Sequence, residues 1–151
     1  MKYAHLVKLT VFSYENEDKN AVLNSFLELF PFRLDENKVV LKKTDAVGFS
    51  DKNIEIYEVH LTKVNLINQF LRHLLGNLNE NQKNTLLEQA ETRLDENLDF
   101  FIRFDKGSWT NGKRLQLTDS GKCFHLKISI AAFPKKRKVA LKIINEMLSL
   151  R

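Results

Sequence analysis

Four consecutive cations, Lys135-Lys136-Arg137-Lys138, follow Phe133-Pro134 near the end of this 151-residue chain. Such a cluster holds phosphate or another polyanion, and the local charge balance supports that chemistry. From Glu96 to Arg151 there are twelve Lys/Arg against five Asp/Glu, whereas Met1 to Asp95 carries twelve against fourteen. The net charge of +5 is therefore the work of one segment. Localised positive charge on an otherwise balanced chain is the electrostatic footprint of nucleic acid. Pro134 is favoured at a first helical position, which predicts that the four cations open a helix with Phe133 at its cap. Cations there oppose the helix dipole by a few tenths of a kcal/mol each. A residue without a side-chain acceptor at the cap also leaves N–H donors free for an anion. The plainer alternative is a solvated basic turn.

Two further groups of residues fit the same chemistry. Strand alternation over the last third directs Phe101, Arg103, Arg114, Gln116, His125 and Lys127 to one sheet face. Cations mixed with an aromatic on a sheet face can hold single-stranded RNA by stacking and phosphate contact. The sole tryptophan, Trp109, lies in a glycine-bounded loop with Lys106, Lys113 and Arg114 close in sequence. Loops of that composition contact ligands, although Trp109 could equally fold back over the core's edge. The RNA-binding set expected from sequence is Arg103, Lys106, Trp109, Lys113, Arg114, Lys127, Lys135, Lys136, Arg137 and Lys138.

Catalytic signals are weak by comparison. His5, His60, His73 and His125 have no metal-ligand spacing, and the one cysteine, Cys123, neither builds an ordinary zinc site nor forms an internal disulfide. Cys123 has no obvious base beside it in sequence and reads as a small buried hydrophobe. Asp95, Glu96 and Asp99 are explained by a turn. No phosphate loop, nucleophile elbow or paired-carboxylate motif is present. The expectation is a non-enzyme with no catalytic residue, cofactor or metal. A small nuclease or phosphoesterase is the rival, to be recognised by Asp95, Asp99 and a histidine converging. The absence of an apolar run of about eighteen residues argues against a membrane span. A lone cysteine with no signal-peptide pattern fits a reducing cytoplasm.

The elements that must position these residues follow from periodicity. Alternation predicts strands over Tyr3–Phe12, Lys38–Thr44 and Asn53–His60, then Leu98–Phe104, Leu115–Leu117 and Phe124–Ile130. Helical spacing places apolar stripes on Val22–Phe30, Leu66–Leu75, Leu86–Leu94 and Val139–Leu148, with Asn79 or Asn81 as a cap for the third. Pro31 is expected to stop the first helix. The order is βαββααβββα, an α+β domain of residues 1–151 with a mainly antiparallel sheet and helices on one face.

Several of these segments together resemble an archaeal family described as RNA-binding proteins or predicted exosome subunits. The likeness rests on Tyr3-Ala4-His5-Leu6-Val7, on Arg93-Leu94-Asp95-Glu96 followed by Phe101-Ile102-Arg103-Phe104-Asp105-Lys106, and on Arg114-Leu115-Gln116-Leu117. It continues in Lys127-Ile128-Ser129-Ile130 and Phe133-Pro134-Lys135, and so covers essentially the whole chain. That family's usual loop carries two adjacent histidines, which are missing from Asp45–Ile54 here. The resemblance implies a fold similar to the ribosomal protein that holds 5S ribosomal RNA, RNA as partner, and exosome- or ribosome-related proteins as further partners. A protein-docking subunit of an RNA-processing assembly, with no direct RNA contact, is the other reading it leaves open.

Overall fold

The computed structural model describes residues 1–151, the side chain of Phe49 excepted. Five strands are present: β1 (Ala4–Tyr14), β2 (Leu41–Val47), β3 (Asn53–Leu61), β4 (Asp99–Asp105) and β5 (Cys123–Ile130). The helices are α1 (Lys19–Leu27), α2 (Val64–Gly76), α3 (Glu80–Glu88), α4 (Ala90–Arg93), α5 (Lys106–Gly112) and α6 (Arg137–Leu148). The strands form one antiparallel sheet in the order β2-β3-β1-β5-β4. The expected α+β class is what the chain adopts.

Packing divides the chain into two units, each assembled from separate stretches. The first comprises residues 1–7, 61–102 and 126–151. Here α6 packs on α2, α3 and α4, and its core takes Phe70, Leu74, Phe100, Ile102, Ile128, Ile144 and Met147. The predicted stripe of α2 is buried throughout: Leu66, Ile67, Phe70, Leu71, Leu74 and Leu75. Asn79 and Gln82 cap α3 reciprocally, each side chain accepting from the other's backbone N–H at 2.8 and 2.9 Å.

The second unit comprises residues 8–60 and 103–125, with α1 packed on α5. Asp18 caps α1 by accepting from Asn20 and Ala21. The Phe26 ring lies 5.8 Å from Phe30 and 6.5 Å from Phe124, centroid to centroid.

Four expectations about elements need correction. Leu115 and Leu117 do not form a strand. Leu117 makes a single bridge to Phe104, and Gln116 accepts from Asp105 N–H at 2.8 Å. The glycine-bounded loop is the helix α5, because Asp105 Oδ2 accepts from Ser108 N–H and supplies its cap. Strand β2 begins later than predicted and runs to Val47: Lys38 takes a left-handed conformation (φ 57°) that closes a turn, and Asp45–Val47 pair with Asn53–Glu55. Helix α6 starts at Arg137, so Phe133 is not its cap. Lys136 is, and its side chain makes no cap hydrogen bond.

Candidate nucleic-acid interface

The cations singled out from sequence separate by what they already touch. In the second unit, Lys106 opens α5 with its side chain turned inward, leaving the residue only 3% exposed. Its ammonium donates to Phe12 O at 2.6 Å and to Glu17 Oε1 at 2.8 Å, and it lies 4.9 Å from the Tyr14 ring centroid. Burial pushes this ammonium below its ordinary pKa, with Glu17 countering part of the effect. Burial of Glu17 acts upward on its carboxyl, but the Lys106 ammonium, the Tyr14 N–H and the charge of Lys122 outweigh it. The net shift of Glu17 is downward. Lys106, expected from sequence in an RNA site, is thus engaged inside the fold as a structural cation.

Trp109 is likewise held from within. Its indole N–H donates to Ser25 O at 2.7 Å, Thr110 Oγ1 lies 3.1 Å from Ser25 Oγ, and the ring is half-buried. Lys113 pairs with Glu28 at 3.0 Å and sits 5.5 Å from the Trp109 centroid. This loop therefore docks α5 onto α1, the fold-back alternative for Trp109. Arg114 is exposed and its guanidinium has no partner among the described residues. Arg103 is exposed and donates to the Asp119 carbonyl at 3.2 Å. On the same sheet face, His125 lies beside Phe12, 6.0 Å between centroids, and exposed Lys122 lies over Tyr14 at 5.1 Å.

In the first unit, Lys127 is half-buried and pairs with Asp99 at 3.6 Å. Arg137 is tied to the end of α4: its Nε meets Glu91 Oε2 at 3.1 Å, and its Nη1 donates to Leu94 O at 3.1 Å. A further bond runs from Nη2 to the Glu91 carbonyl. Lys135, Lys136 and Lys138 are all exposed, and none of their ammonium groups has an ion-pair or hydrogen-bond partner among the described residues. No Asp or Glu occurs in the sequence between Asp119 and Glu146. The four-cation run is consequently one anchor and three free charges. Only Arg137 and Lys138 lie inside the helix, so the opening turn is less cationic than expected.

Chemistry of the enzymatic kind meets specific obstacles. Asp95 Oδ1 accepts from the N–H groups of Asn97 and Asp99, which engages that oxygen in the turn before β4. Cys123 does have a base nearby, against expectation: residues two apart on β5 share a face, and its Sγ lies 3.4 Å from His125 Nε2. Burial raises the thiol pKa and burial lowers that of the imidazole, with Arg103 adding to the latter. Both shifts favour the neutral pair, the reverse of what activates a thiolate. Among the described residues, no group of three His, Cys, Asp or Glu could hold a metal ion, and no helix is long and apolar enough to cross a membrane.

Sequence reading took Phe133 as a helix cap and not as an exposed aromatic, yet it is 93% exposed. The signal was present in the strand alternation. Phe124, Leu126, Ile128, Ile130 and Ala132 are all buried, so the residue after Ala132 falls on the outward parity.

Comparison with known proteins agrees with a nucleic-acid partner. An RNA-binding protein of Pyrococcus abyssi is 28% identical over 145 residues, covering 96% of this chain and 94% of that protein. The crystal structure of an Archaeoglobus fulgidus protein superposes with a TM-score of 0.83 at 28% identity, covering 95% of this chain and 99% of its own. A DUF54 protein from Methanothermobacter thermautotrophicus shares the fold, with a TM-score of 0.74 at 23% identity over 97% and 99% of the two chains. A family model described as RNA binding matches residues 6–130, and the chain belongs to that RNA-binding family.

Proposed function

We propose that this protein is a non-catalytic RNA-binding protein that holds the RNA backbone through its C-terminal basic residues. The observation that carries the reading is the unsatisfied trio Lys135, Lys136 and Lys138, exposed in a stretch of sequence free of acidic residues. Ammonium groups with no partner in the fold are free to displace counterions from phosphates, the sequence-independent source of nucleic-acid affinity. Arg103 and Arg114 in the other unit are the next candidates, since neither side chain is held by a carboxylate among the described residues. Lys106 and Trp109 leave the set, and Lys113, Lys127 and Arg137 serve first as structural pairs.

We place this activity in RNA processing or degradation in the cytoplasm, with exosome- or ribosome-related proteins as candidate partners. Family membership supports RNA as the ligand, and the exosome connection rests on resemblance alone. Binding of the purified protein to a fluorescent RNA, across a salt series, tests the reading. Affinity should fall with salt, and the Lys135→Ala, Lys136→Ala, Lys138→Ala triple variant should bind every RNA more weakly. Equal affinity of the variant and the parent would refute the assignment of phosphate contacts to this segment.

A further inference from the structure

Phe133 precedes the three free lysines by two, three and five residues, and all four side chains are exposed. The backbone around it is fixed on both sides. Ala131 N–H donates to Tyr3 O at 2.8 Å, Ala132 N–H to Ile130 O at 2.9 Å, and Lys136 N–H to Pro134 O at 2.8 Å. Ala132 is buried, and Arg137 is tied down by Glu91 and Leu94. The aromatic ring thus projects into solvent from a pinned segment. A single exposed hydrophobic needs no explanation by itself. An exposed aromatic whose near neighbours in sequence are unpaired cations is a different matter, because every nucleobase has a face that stacks on a ring and a phosphate that an ammonium can neutralise.

Resting on the RNA-binding reading, we propose that Phe133 is a stacking platform for an unpaired base, making single-stranded RNA the preferred ligand of the Lys135-Lys136-Lys138 segment. Duplex RNA presents phosphates to the lysines but keeps its bases stacked on each other, so it cannot use the ring. The two contributions are therefore separable. The lysines set affinity for any RNA together with its salt dependence, and Phe133 sets the margin between single strand and duplex.

The experiment compares parent, Phe133→Ala, Phe133→Trp and the triple lysine variant, each binding a single-stranded and a duplex RNA across the same salt series. Phe133→Ala should lose about tenfold in single-strand affinity, equivalent to about 1.4 kcal/mol, with its duplex affinity and salt slope unchanged. Phe133→Trp should retain or improve single-strand binding. Because the ring is solvent-exposed, the melting temperature of Phe133→Ala should match that of the parent. Parent-level single-strand affinity in Phe133→Ala would overturn the stacking proposal while leaving RNA binding intact, and so would an equal loss for strand and duplex. If the parent itself binds neither RNA at low salt, the RNA-binding reading fails first. Phe133 would then be the anchor of a protein interface.

Discussion

The α5 region and the segment before α6 contain the same ingredients, an aromatic among lysines, and use them in opposite ways. In the first, the ammonium of Lys106 is buried against Glu17 and Phe12 O, Trp109 donates to Ser25 O, and Lys113 pairs with Glu28. In the second, Phe133 is 93% exposed, and Lys135, Lys136 and Lys138 have no partner among the described residues. The difference lies in what each stretch can reach. Residues 105–113 fold as a helix against α1, within range of its Ser25 carbonyl and of Glu17 and Glu28, which flank it. Residues 133–136 lie outside any helix or strand, in a stretch of sequence with no acid between Asp119 and Glu146, and Glu91 is taken by Arg137. A basic, aromatic-bearing sequence is therefore ambiguous between a ligand site and an internal fastening until its partners are known.

The contrast can be broken by substitutions that should act on stability in one region and on binding in the other. Lys106→Met should have the largest effect, a loss of about 3 kcal/mol in denaturant unfolding, because it strands a half-buried Glu17 and an unsatisfied carbonyl. Arg137→Ala should cost about 2 kcal/mol by the same measurement, since it removes charge-assisted bonds to Glu91 and Leu94. Trp109→Phe keeps an aromatic ring but loses the indole N–H and its bond to Ser25 O, for a loss of about 1 kcal/mol.

A smaller effect should appear as a dependence on pH. Glu17 binds its proton less readily in the folded chain than at its ordinary value of 4.5. Its stabilising contribution is thus complete above that value and is lost as pH falls through the lower folded one. Thermal unfolding of Glu17→Gln between pH 6 and 3 should show a shallower loss of stability than the parent, by about 1 kcal/mol or less at the acid end. An identical slope would show that the Lys106 pair contributes nothing to acid sensitivity.

Much of the fold was legible in the sequence, and the candidate site only in part. Strict alternation in Phe100, Ile102 and Phe104, and in Phe124 to Ile130, gave strands and their buried face, since period two with aromatic and β-branched residues has no good helical alternative. The stripes of α2 and α6 were equally clear. Leu115 and Leu117 misled because two alternating residues can be satisfied by one bridge. Helix α5 was hidden by Gly107 and Gly112, although Asp105 followed three residues later by Ser108 was a usable cap signal. The inward turn of Lys106 had no sequence signal, because it depends on Glu17 and Phe12, some ninety residues away in the chain. Phe133 was misassigned through Pro134: a proline that fits a first helical turn also fits the loop before one.

The salt dependence of RNA binding tests the central claim most directly. Three free ammonium groups, at about 0.7 per phosphate contact on a single strand, should contribute about 2 to the log–log slope. The Lys135→Ala, Lys136→Ala, Lys138→Ala variant should therefore bind single-stranded RNA with a slope flatter by about 2 and with its melting temperature unchanged. A slope and affinity equal to those of the parent would contradict the account and return the basic segment to the role of a solvated surface.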